Sequence, residues 1–225
     1  MMAGYDFSCY SELCTARARL LPGKTLGLPF VSVAGPQYEV APTRVLYVGK
    51  SPWATHDEGA CTGTPEEYEA GLAWSADWLE QQSTPSSAFW RFAAKVVHTL
   101  MPGLPGPAMS YMAWSDLAKV AQYKRGAPDR TVAAVMHAAE CAALRQELAT
   151  FEPDLVVLVS NDAVWNVATT IFGDRPDMIV HDDQTWCRPE AEGRNFKLYW
   201  TRHPQGAPLK WHSRHAARIA EFVNA

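Results

Sequence analysis

The sequence predicts an α/β protein: a three-layer α/β/α domain around a central four-stranded, mainly parallel sheet. Three observations lead there. Four β-rich runs stand far apart, at residues 44–49, 109–114, 154–160 and 196–201. Helical patterns fill the gaps, as crossover connections between parallel strands do. The third run, Asp154 to Ser160, is almost continuously apolar, as a strand covered on both faces is.

The elements follow in order. Residues 1–40 are broken by Pro22, Gly23, Gly27, Pro29, Gly35 and Pro36, and read as an arm or short helix packed on a main domain spanning 41–225. Ser86 or Ser87 caps a helix whose apolar face is Phe89, Phe92, Ala93, Val96, Val97 and Leu100. Pro102-Gly103 stops it. Asp129 caps the next helix, which Pro153 closes. Asn161 or Asp162 starts a third, running toward Gly173, and a fourth runs from about Ser213 to Phe222. Repeats and low-complexity tracts are absent from the sequence.

Composition limits the class. Of 225 residues, 48% are hydrophobic and 20% charged, enough for a full core and too apolar for a disordered chain. Runs such as Leu155–Val159 are too short to span a bilayer. Met1–Leu13 lacks a basic region followed by an apolar one, so no secretory signal is expected. The five cysteines, Cys9, Cys14, Cys61, Cys141 and Cys187, form no CxxC pair. A disulfide framework or zinc ribbon is therefore not expected, and a reduced cytoplasmic setting fits best. The net charge of −4 argues against coating nucleic acid by charge alone. Its distribution matters more. Residues 51–90 hold no Lys or Arg but contain Asp57, Glu58, Glu66, Glu67, Glu69, Asp77 and Glu80. Residues 202–218 hold no acid but contain Arg202, Lys210, Arg214 and Arg218, a local phosphate-binding face or a solvated helix.

In parallel sheets ligands bind beyond the carboxyl ends of the strands. Four segments sit there: Gly49-Lys50-Ser51-Pro52-Trp53, Trp114-Ser115-Asp116-Leu117, Ser160-Asn161-Asp162, and Arg202-His203-Pro204-Gln205-Gly206. The first is no phosphate loop, because position 44 is Arg where GxxxxGK[ST] needs glycine. The order and spacing resemble the uracil-DNA glycosylase superfamily. The likeness runs over about residues 40–223: Gly49–Trp53 for the glycine-x-x-proline motif, Ala70–Ser75 for the segment carrying the stacking aromatic, Asp154–Val164 for the third strand and its helix, and His203-Pro204-Gln205 for the last motif.

The resemblance implies a DNA glycosylase that flips a base into a pocket and hydrolyses its N-glycosidic bond. Trp74 would be the platform and Trp53 a second wall, with Gly49 and Pro52 shaping the base pocket and Asp116 reading the base edge. His203 would donate to the base oxygen where negative charge develops. Leu209 or Trp211 would fill the vacated stack, and Lys50, Arg202, Gln205, Lys210 and Arg214 would contact DNA. Two departures shape the expectation. Ser51 stands where the family often has a water-orienting Asp or Asn; its hydroxyl can hold the attacking water but is a poor base, so either Asp57, Glu58 or His56 takes that role or catalysis relies on stabilising the leaving group. Asp116 stands where a uracil-reading Asn is expected; ionised, it only accepts hydrogen bonds and suits the cytosine amino group. The expected base is thus cytosine-type or modified, a setting compatible with phage defence. No cofactor or metal is expected; an iron–sulfur cluster, which some family members carry, lacks a second cysteine pair. DNA is the expected partner of a monomer. Plainer readings stand beside these: His203 as a core residue, Trp74 and Trp78 as one packed helix face, Asp116 as a helix cap, and Lys50 as an ion-pair partner or Schiff-base nucleophile. A catalytically weak DNA-binding module and a nucleoside or nucleotide hydrolase are the rival functions.

Overall fold

A computed structural model describes residues 6–20, 26–52, 61–82, 86–122, 128–160, 165–173, 179–182, 185–188 and 196–225. Its elements in chain order are α1 (Phe7–Ala18), β1 (Leu26–Pro29), β2 (Val33–Ala34), β3 (Val45–Gly49), α2 (Pro65–Gln81), α3 (Ala88–Leu100), β4 (Met112–Asp116), β5 (Val120–Gln122), α4 (Arg130–Phe151), β6 (Leu155–Val159), α5 (Trp165–Phe172), β7 (Ile179–Asp182), β8 (Thr185–Arg188), β9 (Lys197–Thr201) and α6 (Leu209–Asn224). The molecule is mixed α/β. Among the described residues no helix is long and apolar enough to cross a membrane.

The main sheet corrects the expected strand count. It has seven strands, ordered β2-β4-β3-β6-β9-β8-β7, not four. The four predicted strands are its centre, β4-β3-β6-β9, and they are mutually parallel. β2 adds antiparallel at one edge, and the β7–β8 pair adds antiparallel at the other. β1 and β5 form a second, two-stranded antiparallel sheet. Sheet edges thus come from two- to four-residue strands in segments that carry Gly, Pro or acidic residues, where no alternating pattern has room to appear.

Alternation along the central strands sends side chains to two cores. Val45, Tyr47, Trp114 and Val157 pack with Phe92 and Val96 of α3 and Ile219 of α6. Leu46, Val48, Val156 and Leu158 pack with Leu144 and Leu148 of α4 and Phe172 of α5. A third cluster joins Tyr10 and Leu13 of α1 to Met136 and Ala143 of α4. The described part of residues 1–40, read as an arm or short helix packed on the main domain, supplies a packed helix and an edge strand of the main sheet.

Local chemistry starts each helix where it is found. Asp6 accepts from the Ser8 and Cys9 N–H groups ahead of α1, and Asp129 does the same for Thr131 and Val132 ahead of α4. The Ser87 hydroxyl accepts from Trp90 N–H and fixes the start of α3. Thr64 caps α2 by accepting from Glu67 N–H, and the Glu67 carboxylate reaches back to the Thr62 and Gly63 N–H groups. α6 begins at Leu209, after Pro208, four residues before the expected Ser213.

One covalent link departs from expectation. Cys14 of α1 and Cys61, ahead of α2, form a disulfide with Cα atoms 5.5 Å apart. No sequence pattern marks a pair 47 residues apart.

Candidate functional site

The site is assembled at the carboxyl end of β3. Gly49 pairs in register with Asp116 of β4. Beyond the strands the two chains stay joined: Leu117 N–H donates to the Gly49 carbonyl at 3.0 Å and Ala118 N–H to the Lys50 carbonyl at 3.1 Å. Gly49 is required by space. A Cβ there would lie 2.1 Å from Asp116 Oδ1 and 3.0 Å from the Phe89 ring. Glycine lets a carboxyl group and an aromatic ring close over the same backbone.

Phe89 comes from the first turn of α3. Its carbonyl accepts from the Tyr47 hydroxyl at 3.1 Å, and its ring meets Tyr47 and Trp90 edge-on. Its other neighbour is His203, stacked at 5.8 Å with 19° between planes. The sequence placed Phe89 in a helix core; the structure puts it at the site.

His203 lies two residues past β9. Its Nδ1 accepts from the Gln205 N–H at 3.2 Å. Burial first, then the Lys50 charge, depress its pKa to about 4. The ring is therefore neutral at pH 7. With Nδ1 accepting, the single proton sits on Nε2, which is the donor. The turn behind it is anchored: Ala207 N–H donates to the Pro204 carbonyl at 3.0 Å, and the His212 imidazole also bonds that carbonyl.

Asp116 is buried, with 3% of its surface exposed. Burial pushes its carboxyl well above the usual range; Lys119 and Lys50 pull it down, and Glu147 pushes it up. Burial thus shifts the balance toward the neutral acid. A carboxylate only accepts hydrogen bonds, whereas a protonated Asp has one donor and one acceptor. The helix-cap reading falls, since Asp116 ends a strand and β5 follows. Behind it lies a buried polar network. Ser115 donates to Glu147 at 2.6 Å, Lys119 Nζ sits 2.6 Å from Glu147, and Ser32 donates to the same carboxylate. Burial lifts nearby Glu140 to about 7, although its carboxylate accepts the Lys119 N–H at 3.0 Å.

Lys50 is half-buried at this rim, and burial lowers its amine's pKa against the pull of Asp116. The Ser51 hydroxyl donates to the Pro52 carbonyl at 3.2 Å. Gly49, Lys50, Ser51, Pro52, Asp116 and His203 thus gather at one end of the sheet. Trp53 and Asp57, with His56 and Glu58, lie outside the described residues.

Other expected site residues sit elsewhere. Trp74 is 53% exposed on α2 and stacks on Trp78 at 5.8 Å, so Phe89, not Trp74, is the ring beside His203. Trp211 is buried between Phe92 and His215, which corrects its reading as a wedge. Leu209, 69% exposed at the start of α6, is the remaining candidate. Arg202, Gln205, Lys210 and Arg214 are exposed around it, and Arg202 lies over the Trp211 ring at 5.4 Å.

Among the described residues, Cys14, Cys61 and Glu67 bring metal-binding atoms within 4.8 Å. Both sulfurs are engaged in the disulfide, and Glu67 accepts backbone N–H groups, so the set does not offer the thiolates a metal needs. Compared with known proteins, the chain matches no family and no curated sequence.

Proposed function

We propose that the chain is a DNA glycosylase acting as a monomer on a flipped-out pyrimidine, cytosine-type or modified. The reading rests on one observation above all. A neutral His203, a buried Asp116 and the Phe89 ring converge on Gly49 at the carboxyl end of parallel strands.

Each group has a task. The flipped base lies against Phe89. Neutral Asp116 pairs with the base edge, its carbonyl accepting the cytosine amino group and its O–H donating to N3. Turned over, the same acid matches uracil, so Asp116 alone is no reason to exclude it. His203 Nε2–H donates to the base oxygen that gains charge as the glycosidic bond breaks. A neutral donor suits a developing anion here because it needs no proton transfer. Arg202, Lys210 and Arg214 hold phosphates, and Leu209 fills the space left in the stack.

A second reading is favoured by Ser51, whose hydroxyl bonds the Pro52 carbonyl and supplies no carboxylate for water. On that reading the fold binds DNA and cleaves nothing. Product formation separates the two. Single- and double-stranded DNA carrying uracil, cytosine, 5-hydroxymethylcytosine or its glucosylated form is incubated with the protein and scored for free base and alkali-labile sites. Release from one substrate, lost in His203→Ala, supports the glycosylase. Retarded DNA without release from any substrate supports the binder.

A further inference from the structure

We propose that Lys50 gives this site a second activity: cleavage of a DNA strand at an abasic sugar through an iminium ion. The inference rests on reading the pocket as one that holds a nucleotide of DNA, but it does not depend on base release.

The geometry starts from the backbone. Lys50 is the first residue past β3, and its carbonyl is held by Ala118 N–H at 3.1 Å. Its neighbours in the electrostatics of the site are Asp116 and His203, the groups at the base pocket. The other described lysines are committed or remote. Lys119 is buried against Glu147, and Lys197 bonds the Phe222 and Val223 carbonyls. Lys210 is exposed at the start of α6, and Lys95 lies on α3. Lys50 is half-buried, one residue past Gly49, which pairs in register with the buried Asp116. Burial also lowers its own pKa, which raises the share of neutral amine, the nucleophilic form. Meanwhile Ser51, in the same segment, has its hydroxyl turned to Pro52. At this rim the described residues thus place a half-buried amine beside the base pocket.

The chemistry closes without an external oxidant or reductant. The open-chain abasic sugar presents an aldehyde at C1′. The Lys50 Nζ lone pair adds to C1′; the carbonyl oxygen takes one proton from the amine and one from solvent and leaves as water, giving an iminium ion. Water removes a C2′ proton; those electrons form the C2′–C3′ double bond, and the C3′–O bond breaks. The downstream strand leaves with a 5′-phosphate. Water then hydrolyses the iminium and restores the amine.

The test uses the full chain and an oligonucleotide with one preformed abasic site. Borohydride is added to reduce any iminium to a stable amine. The expected result is a covalent protein–DNA adduct that maps to Lys50. It falls at least tenfold in both Lys50→Arg and Lys50→Gln, while Lys95→Ala, on the exposed face of α3, still forms it. Two variants of different size keep a folding defect from deciding the outcome, and circular dichroism of each checks the fold. No adduct from the wild-type chain, or an adduct undiminished in both Lys50 variants, overturns the proposal. Base release is scored separately. Release without adduct sinks this inference alone, and adduct without release sinks only the glycosylase reading.

Discussion

Two helices present large apolar side chains to water, and their settings are opposite. α2 exposes the Trp74–Trp78 stack on a helix carrying Glu66, Glu67, Glu69, Asp77 and Glu80 and no basic residue. α6 exposes Leu209 beside Lys210 and Arg214, directly after the turn that holds His203. A polyanion is repelled by the first surface and attracted by the second. An exposed aromatic is therefore a poor guide to a DNA site by itself. The charge around it and its distance from the strand ends decide, and both favour α6.

The largest expected effect comes from His203. His203→Ala removes the donor to the leaving base, and base release falls at least about a hundredfold, as loss of one transition-state donor does. Trp74→Ala, on the other helix, changes the rate by less than about twofold, because exposed side chains away from the chemistry contribute little. Gly49→Ala comes next. Its Cβ must displace the Asp116 carboxyl or the Phe89 ring, so a thermal melt shows a loss of about 1–3 kcal/mol and release drops with it.

The pH profile sharpens the comparison further. His203 is neutral above about pH 4; protonation puts a hydrogen on Nδ1 and breaks the bond from Gln205 N–H that orients the ring, so release falls as pH drops through that value. Asp116 has a raised pKa and acts as the neutral acid, so release falls again as pH rises through it. Asp116→Asn keeps a donor and an acceptor but does not titrate, and it removes the alkaline limb while leaving the acid one. Reduction of Cys14–Cys61, which ties α1 to the chain before α2, lowers stability by about 2–4 kcal/mol, read as the difference between melts with and without reductant. The smallest effects are on α6: Lys210→Ala and Arg214→Ala each weaken DNA binding uniformly across sequences and reduce the salt slope by about 1.

Much of this arrangement was legible. The four central strands stand out because buried parallel strands need apolar runs, and Ser87 and Asp129 mark helix starts because a cap must accept backbone N–H groups. Gly49, Asp116 and His203 follow from where those strands end. Phe89 was hidden because its helical spacing with Phe92 and Val96 makes it look like core; it reaches the site only because α3 begins above Gly49. Trp211 misled in the opposite sense, since its basic neighbours suggested a surface while its ring turns inward onto Phe92 and His215. β2, β7 and β8 are set by pairing with an existing sheet, which no local pattern records. The raised pKa of Asp116 comes first from its burial and then from the opposed charges of Lys119 and Glu147, which the fold brings to it from beyond any local window.

The most direct measurement is single-turnover release of a pyrimidine base from DNA by the wild-type chain, His203→Ala and Trp74→Ala, side by side. The account predicts release by the wild type, near-complete loss in His203→Ala, and an almost unchanged rate in Trp74→Ala. Undiminished release in His203→Ala, or an equal collapse in Trp74→Ala, contradicts it.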